Sequence, residues 1–166
     1  MVDIDGVISL FGDHRSETGQ HERPDGSFHS IEGTLHFLSS TATAHLLALS
    51  VVFEPIWCSG WEEKANEHLP HLLGLPTALP FLRFPRMTRS PPTRSHAHWK
   101  LEAIDDYAGR RPLAWIDDAL NPACHAWAEE RSASAPTLLV ETDPAVGLTE
   151  REMRLLMDWA GTLEAK

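Results

Sequence analysis

Apolar positions in this chain come in short bursts separated by polar, turn-rich stretches, and the bursts switch between strand and helix periodicity. Residues 1–3 read as the end of a very short strand, turned at Gly6. Residues 8–27 are rich in Gly, Asp, His and Ser and hold the turn signal Pro24-Asp25-Gly26. Strand-like patches over 28–37 predict a small hairpin. Residues 41–49 predict a helix, with Ser39 or Ser40 available to cap it. The run 51–58 is apolar and β-branched apart from Glu54-Pro55, and predicts a buried strand. Over 61–73, Trp61, Ala65, Leu69 and Leu72 recur at helical spacing on one side. A further strand is predicted over 79–84, and a loop with three prolines and three arginines over 85–95. A helix over 99–107 follows, with Trp99, Ala103 and Tyr107 four residues apart. Residues 113–116 form a short apolar strand that runs into Asp117-Asp118. The helix 122–131 opens on a proline at a first-turn position. A last strand covers 137–140, and a closing helix covers 149–163. Thr149 can cap that helix, and Met153, Leu156, Met157 and Ala160 form its apolar face.

Strands that alternate with helices predict an α/β domain with a mostly parallel sheet. Ligands of such sheets sit at the carboxyl ends of the strands. Asp3, Asp5, Ser59, Asp117 and Asp118 all fall at those ends. The length of 166 residues suits a single domain spanning 1–166. No segment approaches the ~20 apolar residues needed to cross a bilayer. The opening Met1-Val2-Asp3 carries neither the basic nor the apolar region of a signal peptide. Cys58 and Cys124 are too few for a disulfide framework. The expectation is a cytoplasmic protein with reduced thiols, no membrane association and no stable protein partner.

The chain has 14 basic and 24 acidic residues, a formal charge of −10, which argues against general affinity for nucleic acid. Seven of the 14 basic residues nevertheless lie between Arg83 and Arg111: Arg83, Arg86, Arg89, Arg94, Lys100, Arg110 and Arg111. Only Glu102, Asp105 and Asp106 oppose them there. A local cationic face suits a small or end-bound phosphate better than a long duplex. Solvated surface arginines would give the same pattern.

Four stations carry candidate chemistry. In Asp3-Ile4-Asp5-Gly6-Val7, strand alternation puts both carboxylates on one side and Ile4 on the other. Carboxylates so close repel, and a divalent cation relieves them. Ser59 stands at a strand-to-helix junction before Gly60, where a hydroxyl and free N–H groups can hold phosphate oxygens. Lys100 offers a point charge for phosphate or a carboxylate pair. Asp117-Asp118 directly after an apolar strand are costly unless paired or metal-bound. Taken singly, each has a plainer counterpart: an Asp-rich turn, a helix cap, a surface lysine, two solvated acids.

Their order and context agree, and together they resemble the four motifs of the haloacid dehalogenase (HAD) superfamily. Asp3-Ile4-Asp5-Gly6-Val7 matches the first motif, Ser59 within Trp57-Cys58-Ser59-Gly60-Trp61 the second, Lys100 the third and Asp117-Asp118 the acidic fourth. The stretch Trp57-Cys58-Ser59-Gly60-Trp61-Glu62-Glu63-Lys64-Ala65-Asn66 also resembles a bacterial subgroup related to the HAD domain of Swiss Army Knife RNA-repair proteins. The resemblance implies a Rossmann-like fold with helices on both faces of the sheet. It implies a Mg2+-dependent phosphohydrolase in which Asp3 attacks phosphorus and Asp5 serves as general acid and base. Magnesium would be held by Asp3, the Asp5 backbone carbonyl and Asp118, with Asp117 either behind them to orient Lys100 or a bound water, or acting as an alternate ligand. Ser59, Gly60 and Lys100 would hold the phosphoryl oxygens. An acid at position 5 favours phosphate esters over carbon–halogen bonds, because a leaving oxygen needs a proton.

Only Met1 and Val2 precede Asp3, so the first strand is short for this pattern. About fifty residues separate the first two motifs, which leaves room for a flap over 8–38 but not for a large cap. Such a site would admit a phosphorylated small molecule or a nucleic-acid end. His14, His21, His29, His36 and His45 match no common zinc spacing and read as surface residues. His96 and His98 are candidate substrate contacts. Among the six tryptophans, read as core residues, Trp61 could instead stack on a substrate base. Two rival readings stand beside the phosphatase: end-processing or phosphoryl transfer on the same site, and a binding or regulatory module with little turnover.

Overall fold

A computed structural model of the chain describes residues 1–12, 24–84 and 98–164. The expected loop over 85–95, together with His14, His21, Arg86, Arg89, Arg94 and His96, lies outside the described residues. The elements follow in the order β1 (Ser9–Leu10), β2 (Gly26–Ile31), β3 (Thr34–Ser39), α1 (Ser40–Leu49), α2 (Lys64–Leu73), α3 (Leu101–Ala108), β4 (Leu113–Asp117), α4 (Pro122–Ser132), β5 (Thr137–Glu141) and α5 (Glu150–Glu164).

Strand β4 pairs in parallel with β5, from Leu113 opposite Thr137 to Asp117 opposite Glu141. The ladder is continued by single parallel bridges, Ile116 to Val2, Val2 to Trp57 and Trp57 to Phe81. The segment 1–3 is thus bonded on both sides. Val2 N donates to Ile56 O at 2.9 Å, Asp3 N to Ile116 O at 3.0 Å, and the Ile116 and Cys58 amides donate back to Met1 O and Val2 O. The short strand expected over 1–3 is therefore present as a bridge rather than a regular ladder. The same holds for 79–84.

Alternation along these segments feeds two cores. Val2, Trp57, Ala114 and Ile116 join Ala42, Leu46, Leu69 and Leu156, which come from α1, α2 and α5. Met1, Ile56, Cys58, Leu113 and Trp115 join Leu101, Ile104 and Cys124, which come from α3 and α4. Trp57, Trp115, Leu46, Leu69 and Ile104 are among the fully enclosed side chains. Each such aliphatic residue contributes about 1.5–3 kcal/mol through burial.

A second sheet is antiparallel, in the order β1-β3-β2. It contains the predicted hairpin, turned at Glu32 and Gly33, both at positive φ, as tight hairpin connections require. The helix ends follow local rules. Ser39 caps α1 by accepting from Ala42 N, and Asn121 caps α4 ahead of Pro122.

Several boundaries and faces differ from expectation. Residues 51–53 form a turn, not the start of a strand, and Val51 is 85% exposed. The cause is local: Val52 N and Phe53 N both donate to Leu49 O, so the chain tightens at the end of α1 and cannot extend until past Pro55. Helix α2 begins at Lys64 because 61–63 are taken up by a turn. In α3 the buried residues are Leu101, Ile104 and Ala108, while the expected stripe lies outward, with Trp99 and Tyr107 exposed. Met157 is likewise exposed, and Leu156 and Ala160 bury α5. Both cysteines are free and buried, and burial pushes the Cys58 thiol up to about 12, so it stays protonated and unreactive. Among the described residues no helix is long and apolar enough to cross a membrane.

Candidate active site

The strand pairing that builds the sheet also gathers the polar residues at one edge. Asp3 leaves the central segment directly after its bond to Ile116, and Asp117 ends β4 beside it. Both are buried, Asp117 completely. Carboxylate oxygens of Asp3, Asp117 and Asp118 all lie within 4.8 Å of one another. Lys100 enters from the start of α3 and is itself 3% exposed. Its Nζ lies 2.6 Å from Asp3 Oδ2 and 2.7 Å from Asp117 Oδ2. Among the described residues its carboxylate partners are these two, so one ammonium proton of the three is not engaged by a carboxylate.

The four acids differ in how they are held. Asp117 Oδ2 also accepts from Trp115 Nε1 at 3.0 Å, and its Oδ1 accepts from Ala119 N at 3.0 Å. Asp117 is thereby held through both oxygens, one of them shared between Lys100 and Trp115. Asp3 Oδ1 accepts from Ile4 N at 2.8 Å, which fixes the carboxylate plane. Asp5 turns away from the cluster, and its Oδ2 accepts from Trp61 Nε1 at 2.9 Å. Trp61 in turn meets the His36 ring edge to face at 4.9 Å, and His36 Nδ1 lies 3.0 Å from Ser9 Oγ. Ser59, 2% exposed, stands at the same sheet edge, one residue past the Cys58–Val2 bond. It does not cap α2, whose first-turn cap is Glu63 without a side-chain bond.

Asp118 rests against the turn at Gly6. A Cβ on Gly6 would lie 2.3 Å from Asp118 Cγ, and Gly6 has φ +72°, so only glycine fits on both counts. Thr142 Oγ1 holds the Gly6 carbonyl at 3.0 Å, and Thr142 N bonds to Asp117 O, tying the turn to the end of β4. Gly6→Ala should displace Asp118. Any divalent-cation affinity of the cluster should then fall roughly 10–100-fold by isothermal titration. Unchanged affinity would place the cation elsewhere.

Electrostatics separates the members. Burial drives the Asp3 carboxyl up to about 6, against the pull of Lys100 and with a further push from Asp117. Burial would depress Lys100, but the two carboxylates outweigh it and hold the ammonium above its ordinary value. Asp118 is also raised, by burial first and then by the charge of Asp117. One ammonium thus faces three crowded carboxylates, and the excess negative charge suits a cation bound by oxygen. His98 is 8% exposed, packed edge to face on Trp115 at 5.3 Å, and accepts from the Lys100 amide. Burial lowers its pKa, which favours the neutral ring, and its contacts lie with the Lys100 amide, Trp99 and Trp115.

The family model for the HAD domain in Swiss Army Knife RNA repair proteins matches residues 1–153. The chain belongs to this family. No curated protein matches it. The match takes in every residue of the cluster, and the HAD domain here brings together Asp3, Lys100, Asp117 and Asp118, with Ser59 and Asp5 flanking them.

Three supports of this HAD domain were not visible in its sequence: the Trp61 bond to Asp5, the Trp115 bond to Asp117 and the Thr142 bond to Gly6. Trp61 and Trp115 both sit in apolar patterns, so their ring N–H groups gave no signal. Trp61→Phe keeps the ring and removes the donor. Any phosphatase kcat should fall about tenfold with KM little changed, because Asp5 loses the hydrogen bond that holds its carboxylate in place. A parent-like kcat in Trp61→Phe, with the loss confined to Trp61→Leu, would mean that the indole only packs.

Proposed function

We propose that the domain is a magnesium-dependent phosphomonoester hydrolase that works through an aspartyl-phosphate on Asp3. The observation that carries this reading is Lys100 shared between Asp3 and Asp117, with Asp118 alongside and a net excess of buried carboxylate. The donors are all oxygens, which suits magnesium rather than a thiophilic metal. Asp3, Asp118 and the Asp5 backbone carbonyl would hold it. When bound, the ion would neutralise charge on the nucleophile and on the phosphate.

The chain's own residues then divide the work. Lys100 directs one carboxylate face of Asp3 and offers its remaining proton to a phosphoryl oxygen. Ser59 and the amides around Gly60 take other phosphoryl oxygens. An Asp3 oxygen forms the new bond to phosphorus as the ester P–O bond breaks, and Asp5 gives a proton to the departing oxygen. Asp5 next takes a proton from water as that water attacks the phosphoryl group, which releases phosphate and restores Asp3. Asp5's share is worth roughly 10²–10⁴-fold in rate.

Two finer points of architecture belong to the same proposal. The bridged order Phe81, Trp57, Val2, β4, β5, with one apolar core on each side, supports a doubly wound Rossmann-like sheet. The hairpin touches the site through His36 and through the ion pair of Glu32 with Lys64, which supports a small flap within 8–38. The family's description as a domain of RNA repair proteins favours a nucleic-acid end as one form of substrate.

Hydrolysis of an aryl phosphate with magnesium, and its loss with chelator, is the direct test. At limiting magnesium the rate should also fall as pH drops through about 6, because protonated Asp3 neither attacks nor binds a cation. Raising the magnesium concentration should move that limb to lower pH. Turnover that ignores both chelator and acid would sink the proposal.

A further inference from the structure

The sequence offered Trp61 as a stacking surface, and the structure places a second, more exposed indole at the same site. Trp99 is 48% exposed, unlike the enclosed Trp57 and Trp115. It stands at the site itself. Lys100 Nζ, which touches Asp3, lies 5.2 Å from the Trp99 ring centroid. At Gly60 a Cβ would come within 3.7 Å of Trp99 Cη2, so the far edge of the indole overhangs the Ser59-Gly60 turn.

The ring is also held in place. Phe84 meets it edge to face at 4.6 Å, and Phe84 N is anchored to Glu62 Oε1 at 2.8 Å. His98 lies nearly parallel to it at 6.0 Å. Rigid support and an open surface serve no obvious purpose in the core, because the helix face that buries α3 is made by Leu101, Ile104 and Ala108. Tyr107, at the other end of that outward stripe, is covered by Arg111 at 4.9 Å and lies away from the cluster.

We propose that Trp99 is a stacking platform for the leaving group, which makes the preferred substrate a phosphate ester with an aromatic ring close to the phosphate, such as a nucleotide. This rests on the phosphohydrolase reading and names the substrate class for the same site. A ring on Trp99 would be held by face contact, which tolerates any base because every base has a π-face. The phosphate would meanwhile reach the Ser59-Gly60 turn and Lys100.

The test compares a nucleoside monophosphate with glycerol phosphate on parent, Trp99→Leu and Trp99→Phe, all with magnesium. The ratio of kcat/KM for the two esters should fall about tenfold or more in Trp99→Leu, mainly through the KM of the nucleotide, and recover in part in Trp99→Phe. Equal losses on both esters would give Trp99 a structural role and overturn the platform. A second arm needs no turnover: nucleoside monophosphate and inorganic phosphate are titrated into Asp3→Asn protein and tryptophan fluorescence is followed. Tighter binding of the nucleotide, with quenching that disappears when Trp99→Leu is added, supports the platform. Equal affinities overturn it. If the parent hydrolyses neither ester, the phosphohydrolase reading fails, and the binding arm still decides for or against Trp99.

Discussion

Asp3→Asn should leave a folded domain whose turnover is at least about 10³-fold below the parent, because the amide cannot attack phosphorus. The fold should tolerate the change well. Asp3 is buried, and burial already favours its uncharged form, as its rise to about 6 shows. The sign follows from linkage. A carboxyl whose folded pKa exceeds its unfolded value supports the fold most when protonated, and that support is lost as pH climbs from about 4 through about 6. At pH 7.5 the parent therefore carries a charge that its surroundings disfavour, and the amide does not. Metal-free Asp3→Asn should melt at or above the parent temperature at pH 7.5, and this advantage should shrink toward pH 4. Residual activity close to the parent would remove Asp3 as nucleophile, whatever the melting curves show.

Lys100→Met has the largest expected effect on stability. The side chain is about the same length, so packing is largely kept while the charge is lost. Asp3 and Asp117 then remain buried without their shared ammonium, and breaking a buried pair this way costs about 3–5 kcal/mol. For a domain of this size that is a fall in Tm on the order of 10 °C. Calorimetry without metal should find the gap widest above pH 6, where Asp3 is ionised, and narrower at pH 5, where it takes up a proton. Adding Asp3→Asn to Lys100→Met should restore part of the loss, since one of the two stranded charges is gone. A variant as stable as the parent at pH 7.5 would show that Lys100 is not the counter-charge.

What the sequence revealed here was whatever depends on near neighbours. The hairpin, the Ser39 cap and the proline-led start of α4 all follow from residues within a few positions of one another. The site was legible for a related reason. Asp3, Ser59 and Asp117 each end an apolar run, and parallel strands bring such ends to one edge. The errors came where a distant partner or a tight turn decides. Val51 looks like a strand residue, yet the turn closing α1 exposes it. Trp99 and Tyr107 have the spacing of a buried stripe, but Leu101, Ile104 and Ala108 offer a competing one, and these pack against the sheet. The direction of the Trp61 N–H depends on Asp5, 56 positions earlier, and no local pattern reports it.

The double pairing of the segment 1–3 has a consequence for the order of assembly. Its partners are residues 56–58 on one side and 114–116 on the other, so its hydrogen bonds close loops of more than fifty and more than a hundred residues. Contacts of such long range slow the search for the native state. During synthesis Asp3 is made well ahead of β4 and stays without one of its flanking strands until β4 has followed. The hairpin and α1 need no such wait. The edge that carries the candidate site is therefore among the late parts of the domain to form, and a chain cut before β4 would contain Asp3 but not the structure that positions it.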